Sequence, residues 1–353
     1  MSQVEELIKV VLGVDTHLDV HVGVVVDPVG RVLGTRSIAT CTDGYQDLLE
    51  WTCSFGSFSR AGIEGTGTYG AGLTRHLQKA GIEVLEVNRP DRARRRRRGK
   101  NDPIDAENAA RAVLSGEACA RPKAQSGAVE AMRTVNVARR SAVKARTQAL
   151  NQLRSLLVSA PQALRERLLK PTATACVAAC LALETEDDSI LLQTLKPTLR
   201  LLARRWRALT EELRELDAAL GRLTRQAAPS LIARFGVGAQ TAATLLVIAG
   251  DNPERLRNDA ALAALCGVSP LEASSGKVIR HRLNRGGDRQ ANNALWTIAM
   301  VRMRSESRTR AYVERRTQEG RSTKEIHRCL KRYIVRELYP LIIKDLQAAD
   351  VVP

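Results

Sequence analysis

Ten apolar residues, Leu192, Leu195, Leu199, Leu202, Trp206, Leu209, Leu213, Leu216, Leu220 and Leu223, recur at strictly alternating steps of three and four. Only a helix brings such positions onto one stripe, and a stripe kept for this long needs a facing helix to cover it. Pro197 marks the expected start, because proline suits a first turn and disrupts an interior. Residues 197–226 are then predicted to be helical over about 45 Å, at about 1.5 Å per residue. The facing helix is either the preceding segment, folded back antiparallel, or the same seam of a second copy. Aromatic residues make up only 3% of the chain, so its cores are built from Leu, Val, Ile and Ala. With 353 residues and 44% apolar content, such cores need no disulfide or metal to hold them.

The residues before the seam have a different period. Residues 8–15, 19–27 and 31–39 are β-branched runs separated by short turns, which predicts an antiparallel meander. A helix over 44–53, a strand over 60–64, a helix over 71–80 and a strand over 82–87 follow. Three strands, helix, strand, helix, strand is an order that suits a ribonuclease-H-like mixed sheet, although other small α/β domains share it. A further helix is expected from Asp102, as N-cap, with Pro103 at its first position, to Gly116. Residues 124–159 are helix-prone and basic. After Pro229 a compact helical region runs to about residue 339. The expected class is therefore α/β plus α, with domains at 1–122, 123–228 and 229–353.

Charge decides the class of partner. The chain carries 55 Lys+Arg against 38 Asp+Glu, a net +17. Such an excess favours a polyanion, nucleic acid before a membrane surface, because neutralising phosphates releases counterions. Two regions concentrate it. Arg94, Arg95, Arg96, Arg97, Arg98 and Lys100 form one run, and residues 277–336 hold 17 Lys+Arg against 5 Asp+Glu. No apolar run approaches the roughly 18 residues of a membrane span, and acids at Glu5, Glu6 and Asp15 spoil a signal peptide. Seven scattered cysteines read as reduced thiols of a cytoplasmic protein. Cys176 and Cys180 lack the second Cys/His pair that zinc requires.

Four acids stand out by position. Asp15 ends the first strand, Glu64 ends a later one, and Asp102 and Asp105 share a helix face. A strand-end acid also serves as a turn former, and Asp102 also serves as a cap. Gathered within about 5 Å, however, carboxylates repel by roughly 3 kcal/mol per pair at an effective dielectric near 20. Such a cluster persists with bound cations or held protons. Hard oxygen donors select Mg²⁺ or Mn²⁺, the ions of phosphodiester chemistry. In the C-terminal region, Ser275 lies in a Ser-Ser-Gly turn beside Lys277, Arg280, Arg282 and Arg285. Those cations would surround a phosphate and favour serine attack at phosphorus, with His281 as a candidate base. Phe235-Gly236-Val237-Gly238 reads either as a phosphate-binding helix–hairpin–helix turn or as an ordinary link between helices.

Gly-Val-Asp-Thr-His at 13–17, Ile-Glu-Gly-Thr-Gly-Thr-Tyr-Gly at 63–70 and Lys-Asn-Asp-Pro-Ile-Asp-Ala at 100–106 resemble the three acidic blocks of the DEDD transposases. These belong to the insertion-sequence family one-ten, related to the pilin-gene invertase Piv. Residues 267–295, with Ser-Ser-Gly and Asn-Arg-Gly-Gly-Asp-Arg-Gln, resemble that family's C-terminal domain. The resemblance implies a RuvC-like N-terminal domain with Asp15, Glu64, Asp102 and Asp105 as Mg²⁺ ligands, a coiled-coil segment, and a C-terminal transposase domain. It implies Ser275 as the nucleophile of a covalent phosphoserine link to DNA. It also implies a structured bridge RNA pairing with donor and target DNA. A dimer of dimers, joining the acids of one subunit to the serine of another, completes the implied picture. The chain departs from the family at Leu18, where a lysine is common, and Ser274 competes with Ser275 for the serine position. Two rivals stay open: a RuvC-like nuclease that cuts branched DNA with metal-activated water, and a nucleic-acid-binding protein without catalysis.

Overall fold

The computed structural model describes residues 8–87, 101–123, 125, 127–184, 189–250, 254, 256–276 and 281–349. The chain divides into two compact units, residues 1–125 and 126–353.

The first unit is built on a five-stranded sheet of β1 (Lys9–Thr16), β2 (Val20–Val26), β3 (Val32–Ala39), β4 (Ser57–Glu64) and β5 (Glu83–Val87), in the order β3-β2-β1-β4-β5. β1, β2 and β3 form the expected antiparallel meander, and β4 and β5 run parallel to β1. This is the strand order and polarity of a ribonuclease-H-like fold. Alternation along the strands sorts two cores. Val10, Leu12, Val14, Ala61 and Ile63 join one cluster, with Leu48 of α1 (Thr42–Cys53) and Leu73 and Leu77 of α2 (Ala71–Lys79). Val11, Val22, Val24 and Val26 pack on the opposite face against Ala106, Ala109, Ala110 and Val113 of α3 (Asp102–Leu114).

Two glycines let α3 lie flat on that sheet. Gly13 and Gly62 are register partners on β1 and β4. A Cβ on Gly13 would lie 2.0 Å from the Ala106 carbonyl oxygen, and one on Gly62 would lie 2.6 Å from that of Ala109. No side chain fits at either place. The start of α3 corrects one expectation. Asn101, in extended conformation, is the N-cap, and Asp102 is the first helical residue. The Asp102 carboxylate is therefore directed elsewhere than to a cap.

In the second unit, α4 (Gly127–Val158) and α7 (Ile190–Ala227) pack together as antiparallel helices. Arg139 pairs with Asp217, while Arg146 stacks on Trp206, so ascending positions on α4 meet descending ones on α7. Leu199, Leu213 and Leu220 of the seam are fully buried, and its other members are half-buried. The start expected at Pro197 is also corrected: α7 begins at Ile190 and carries the proline inside it, for a length of about 57 Å at about 1.5 Å per residue. Pro197 offers no amide to the helix ladder, and its place in the second turn confines that loss to the helix start. Between these helices lie α5 (Gln162–Leu168) and α6 (Ala173–Leu181). Cys176 and Cys180 are buried in that part of the core, and burial pushes the Cys180 thiol up to about 12, with Cys176 adding to the shift.

After α7 come α8 (Pro229–Ile232), α9 (Ala239–Ala249), α10 (Asp259–Leu265), a two-stranded ribbon of β6 (Leu271–Glu272) and β7 (His281–Arg282), α11 (Arg289–Ser305), α12 (Ser307–Gln318) and α13 (Thr323–Ala349). They share one core with the ends of the long helices, through Val129, Met132 and Leu220. Gly236, at φ +80°, makes the turn into α9, and the turn's Phe235 carbonyl accepts from the buried Arg302 at 3.0 Å. No helix of the described residues is long and apolar enough to cross a membrane.

Candidate active site

The side-chain alternation that places Gly13 against α3 also places Asp15, two residues on, on the same face of the sheet. One strand step of two residues, about 6.6 Å, nearly matches one helical turn, about 5.4 Å. Gly13 faces Ala106 and Ala110, so Asp15 faces the first turn of α3, where Asp102 and Asp105 stand. Glu64 follows Gly62 by the same interval on the neighbouring strand and emerges on the same face. Thr16 ties the two strand ends together, donating its hydroxyl to the Glu64 carbonyl at 2.7 Å.

His17 enters this group. Its Nε2 lies 3.3 Å from Asp15 Oδ2 and 3.5 Å from Asp102 Oδ1. Neither contact has hydrogen-bond geometry, which leaves that buried nitrogen unpartnered between two carboxylates. One ligand atom from each of Asp15, His17 and Asp102 falls within 4.8 Å of the others. Asp15 is buried. Burial pushes its carboxyl above the ordinary value, His17 pulls it back, and the charges of Asp105 and Asp102 push it further up. The donor set, the buried carboxylate and the unpartnered nitrogen fit a divalent cation, which would relieve the repulsion that raises Asp15. His17 escaped the sequence reading. Its only signal there is its place two residues beyond a strand-end acid.

Ser275 lies in the second unit. It is exposed, three residues past the end of β6, and Gly276 beside it adopts φ +57°. The ribbon pairs Leu271 with Arg282 and Glu272 with His281. Arg282 and Arg285 are exposed. Lys277, Arg280, Arg94, Arg95, Arg96, Arg97, Arg98 and Lys100 lie outside the described residues. The structure thus gathers Asp15, Asp102 and Asp105, sets Glu64 on the adjoining strand, and adds His17.

A ribonuclease-H-like sheet with Asp15 at the end of its central strand, beside His17 and Asp102, defines a fold class with a candidate site for a divalent cation. Comparison with known proteins narrows the class. A family model described as "Transposase", for the DEDD domain of IS110 elements, matches residues 12–160. A second, described as "Transposase IS116/IS110/IS902 family", matches residues 230–314. An "Insertion element IS110 uncharacterized 43.6 kDa protein" of Streptomyces coelicolor is 31% identical over 138 residues, 38% of this chain. The chain spans about a third of that relative, 34% of its length. Both family models name the same family, in order, over most of the chain. The chain belongs to the IS110 family of transposases.

Proposed function

We propose that this protein is the transposase of an insertion sequence, a DNA recombinase that uses a divalent-metal carboxylate site and a serine nucleophile. The observation that carries the reading is the convergence of Asp15 and Asp102 within 4.8 Å of each other and of His17, at the strand ends of a ribonuclease-H-like sheet. Asp15, Glu64, Asp102 and Asp105 would hold Mg²⁺ or Mn²⁺, with His17 beside them. The cation, when bound, supplies positive charge to the phosphate oxygens as negative charge builds on them.

The remaining chemistry belongs to the chain. Ser275 Oγ attacks a DNA phosphorus and forms an Oγ–P bond as one P–O ester bond of the strand breaks. The serine proton passes to solvent or to His281, and the released DNA hydroxyl takes up a proton. One phosphodiester replaces another, so the link stores the bond and a strand hydroxyl reverses it without a further energy source. Arg282 and Arg285, with Lys277 and Arg280, would hold the phosphate. The arginine run Arg94–Arg98 would carry the backbone towards the acids. Residues 1–122, 123–228 and 229–353 divide the work as metal domain, coiled-coil scaffold and serine domain. Donor and target DNA would be chosen by a structured bridge RNA. The cytoplasmic enzyme would assemble as a dimer of dimers, the acids of one subunit serving the serine of another.

The test is a denaturing gel of labelled DNA from the gene's flanks, RNA transcribed from those flanks, Mg²⁺ and protein. A covalent protein–DNA adduct is expected with wild type and with Ser274→Ala, and none with Ser275→Ala. Cleavage without an adduct, equal in all three, would overturn the serine step in favour of a metal nuclease.

A further inference from the structure

A buried lysine in the C-terminal unit has no part in the chemistry above. Lys331 on α13 is only 7% exposed, yet among the described residues no carboxylate pairs with it. Its Nζ donates instead to Asn292 Oδ1 at 2.7 Å. Burial, with Arg328 nearby, pushes its pKa down, so the ammonium is held there against a desolvation cost. An apolar side chain at 331 would fill the core without that cost.

Asn292, on α11, turns the ammonium to use. Its amide nitrogen donates to two consecutive backbone carbonyls, Cys266 and Gly267, each at 3.0 Å. The ammonium on the amide oxygen polarises the group and strengthens both of those bonds. These carbonyls stand where the chain leaves α10 for the Ser275 loop. The returning arm is fixed at the same point. A Cβ on Gly287 would lie 2.0 Å from the Gly267 nitrogen, so the two backbones touch. Asp288 N donates to the Leu265 carbonyl at 2.6 Å, and the Asp288 carboxylate caps α11 through the Gln290 and Ala291 amides, both at 2.8 Å.

We infer that Lys331 and Asn292 are positioning residues that clamp the base of the Ser275 loop to the helical body. The link to catalysis rests on the reading of Ser275 as nucleophile; the clamp itself does not. An exposed loop that must bring a hydroxyl to a phosphorus atom needs a rigid footing, because a displacement of about 1 Å costs about 10²-fold in rate.

The test compares wild type, Asn292→Ala, Lys331→Met and the double variant, each as the full-length chain. Lys331→Met keeps the apolar stem and serves if Asn292→Ala folds poorly. Amide hydrogen exchange over residues 266–276 is expected to rise by about tenfold in either single variant while that of α4 and α7 stays at the wild-type level. The double variant should add little to either, since both residues act through one set of bonds. Adduct formation at saturating DNA should slow by about 10²-fold with DNA affinity within about twofold of wild type. Unchanged exchange over 266–276 would overturn the clamp. So would a general rise in exchange with affinity lost in parallel, the mark of a merely structural pair. Faster loop exchange in a protein whose wild type forms no adduct would uphold the clamp and refute the Ser275 reading instead.

Discussion

Replacing Gly13 by alanine asks whether the helix-to-sheet contact is what assembles the acids. The added methyl would sit 2.0 Å from the Ala106 carbonyl oxygen, 2.3 Å from the Ala110 nitrogen and 2.8 Å from the Ala110 Cβ. Two of those atoms are backbone, so no rotamer change relieves the overlap. A carbon next to a carbonyl oxygen comes no nearer than about 3.3 Å, which requires α3 to lift by roughly 1.3 Å. Overpacking of this kind costs about 1–3 kcal/mol. In a unit of this size that lowers the melting temperature by about 4 °C per kcal/mol. The lift also carries Asp102 and Asp105 away from Asp15. The assay is thermal unfolding of the full chain with and without Mg²⁺. A ligand at ten times its dissociation constant stabilises by about 1.4 kcal/mol, and that increment should be lost in Gly13→Ala. Asp15→Asn separates the two effects. It removes a buried carboxylate whose pKa is raised, so the cation-free protein should melt no lower than wild type, while the Mg²⁺ increment disappears. If Gly13→Ala keeps both the wild-type melting temperature and the Mg²⁺ increment, α3 does not rest on β1 and that contact does not assemble the acids.

Two further perturbations probe each unit separately. His21 is fully buried, with its ring stacked on Tyr45 at 5.8 Å, and burial pushes its pKa below the ordinary 6.5. The unfolded chain takes up the proton near pH 6.5 while the folded chain resists it. Stability is therefore complete above that value and declines as pH falls from 6.5 towards the depressed folded pKa. His21→Phe should flatten this part of a urea-midpoint profile, and an unaltered slope would assign the acid sensitivity to other groups. In the second unit, Arg302 is buried, binds Glu337 through two contacts of 2.6 and 3.1 Å, and donates to the Phe235 carbonyl. Arg302→Met should cost about 2 kcal/mol by urea unfolding, below the roughly 3–5 kcal/mol of a fully buried pair because Glu337 is partly exposed. A midpoint within error of wild type would show that the turn at Gly236 is held without it.

The sheet was legible because its signals are local. β-branched runs separated by short turns such as Pro28–Gly30 place strands within a few residues of where they stand. The acids were legible as candidates because each sits at an element's end. What the sequence did not contain was the parity that unites them. Gly13 and Asp15, Gly62 and Glu64 are each two apart, and Ala106 is one turn from Asp102. Those intervals acquire meaning only when Gly13 and Gly62 prove to be partners in register. The same reasoning explains the error at Asp102. Asn101 and Asp102 are both good N-caps by composition; the helix takes Asn101, and the Asp102 carboxylate lies 3.5 Å from His17 Nε2 instead.

The unread part of the second unit has a different cause. Asn292 and Lys331 are 39 residues apart, and each alone reads as an ordinary polar position on an amphipathic helix. Their meaning is tertiary: a lysine is worth burying only where its charge is spent on a group that nothing else holds, here an amide bridging Cys266 and Gly267. The two units then use buried charge in opposite ways. Around Asp15 like charges crowd together, a state that calls for a cation from outside. Around Lys331 the cation is the chain's own and its acceptors are neutral, so the footing of the serine loop is complete without any ligand. If that contrast holds, Mg²⁺ should stabilise the acid site without altering hydrogen exchange over residues 266–276. A loop exchange rate that follows Mg²⁺ in the absence of nucleic acid would show that the two sites are not independently built.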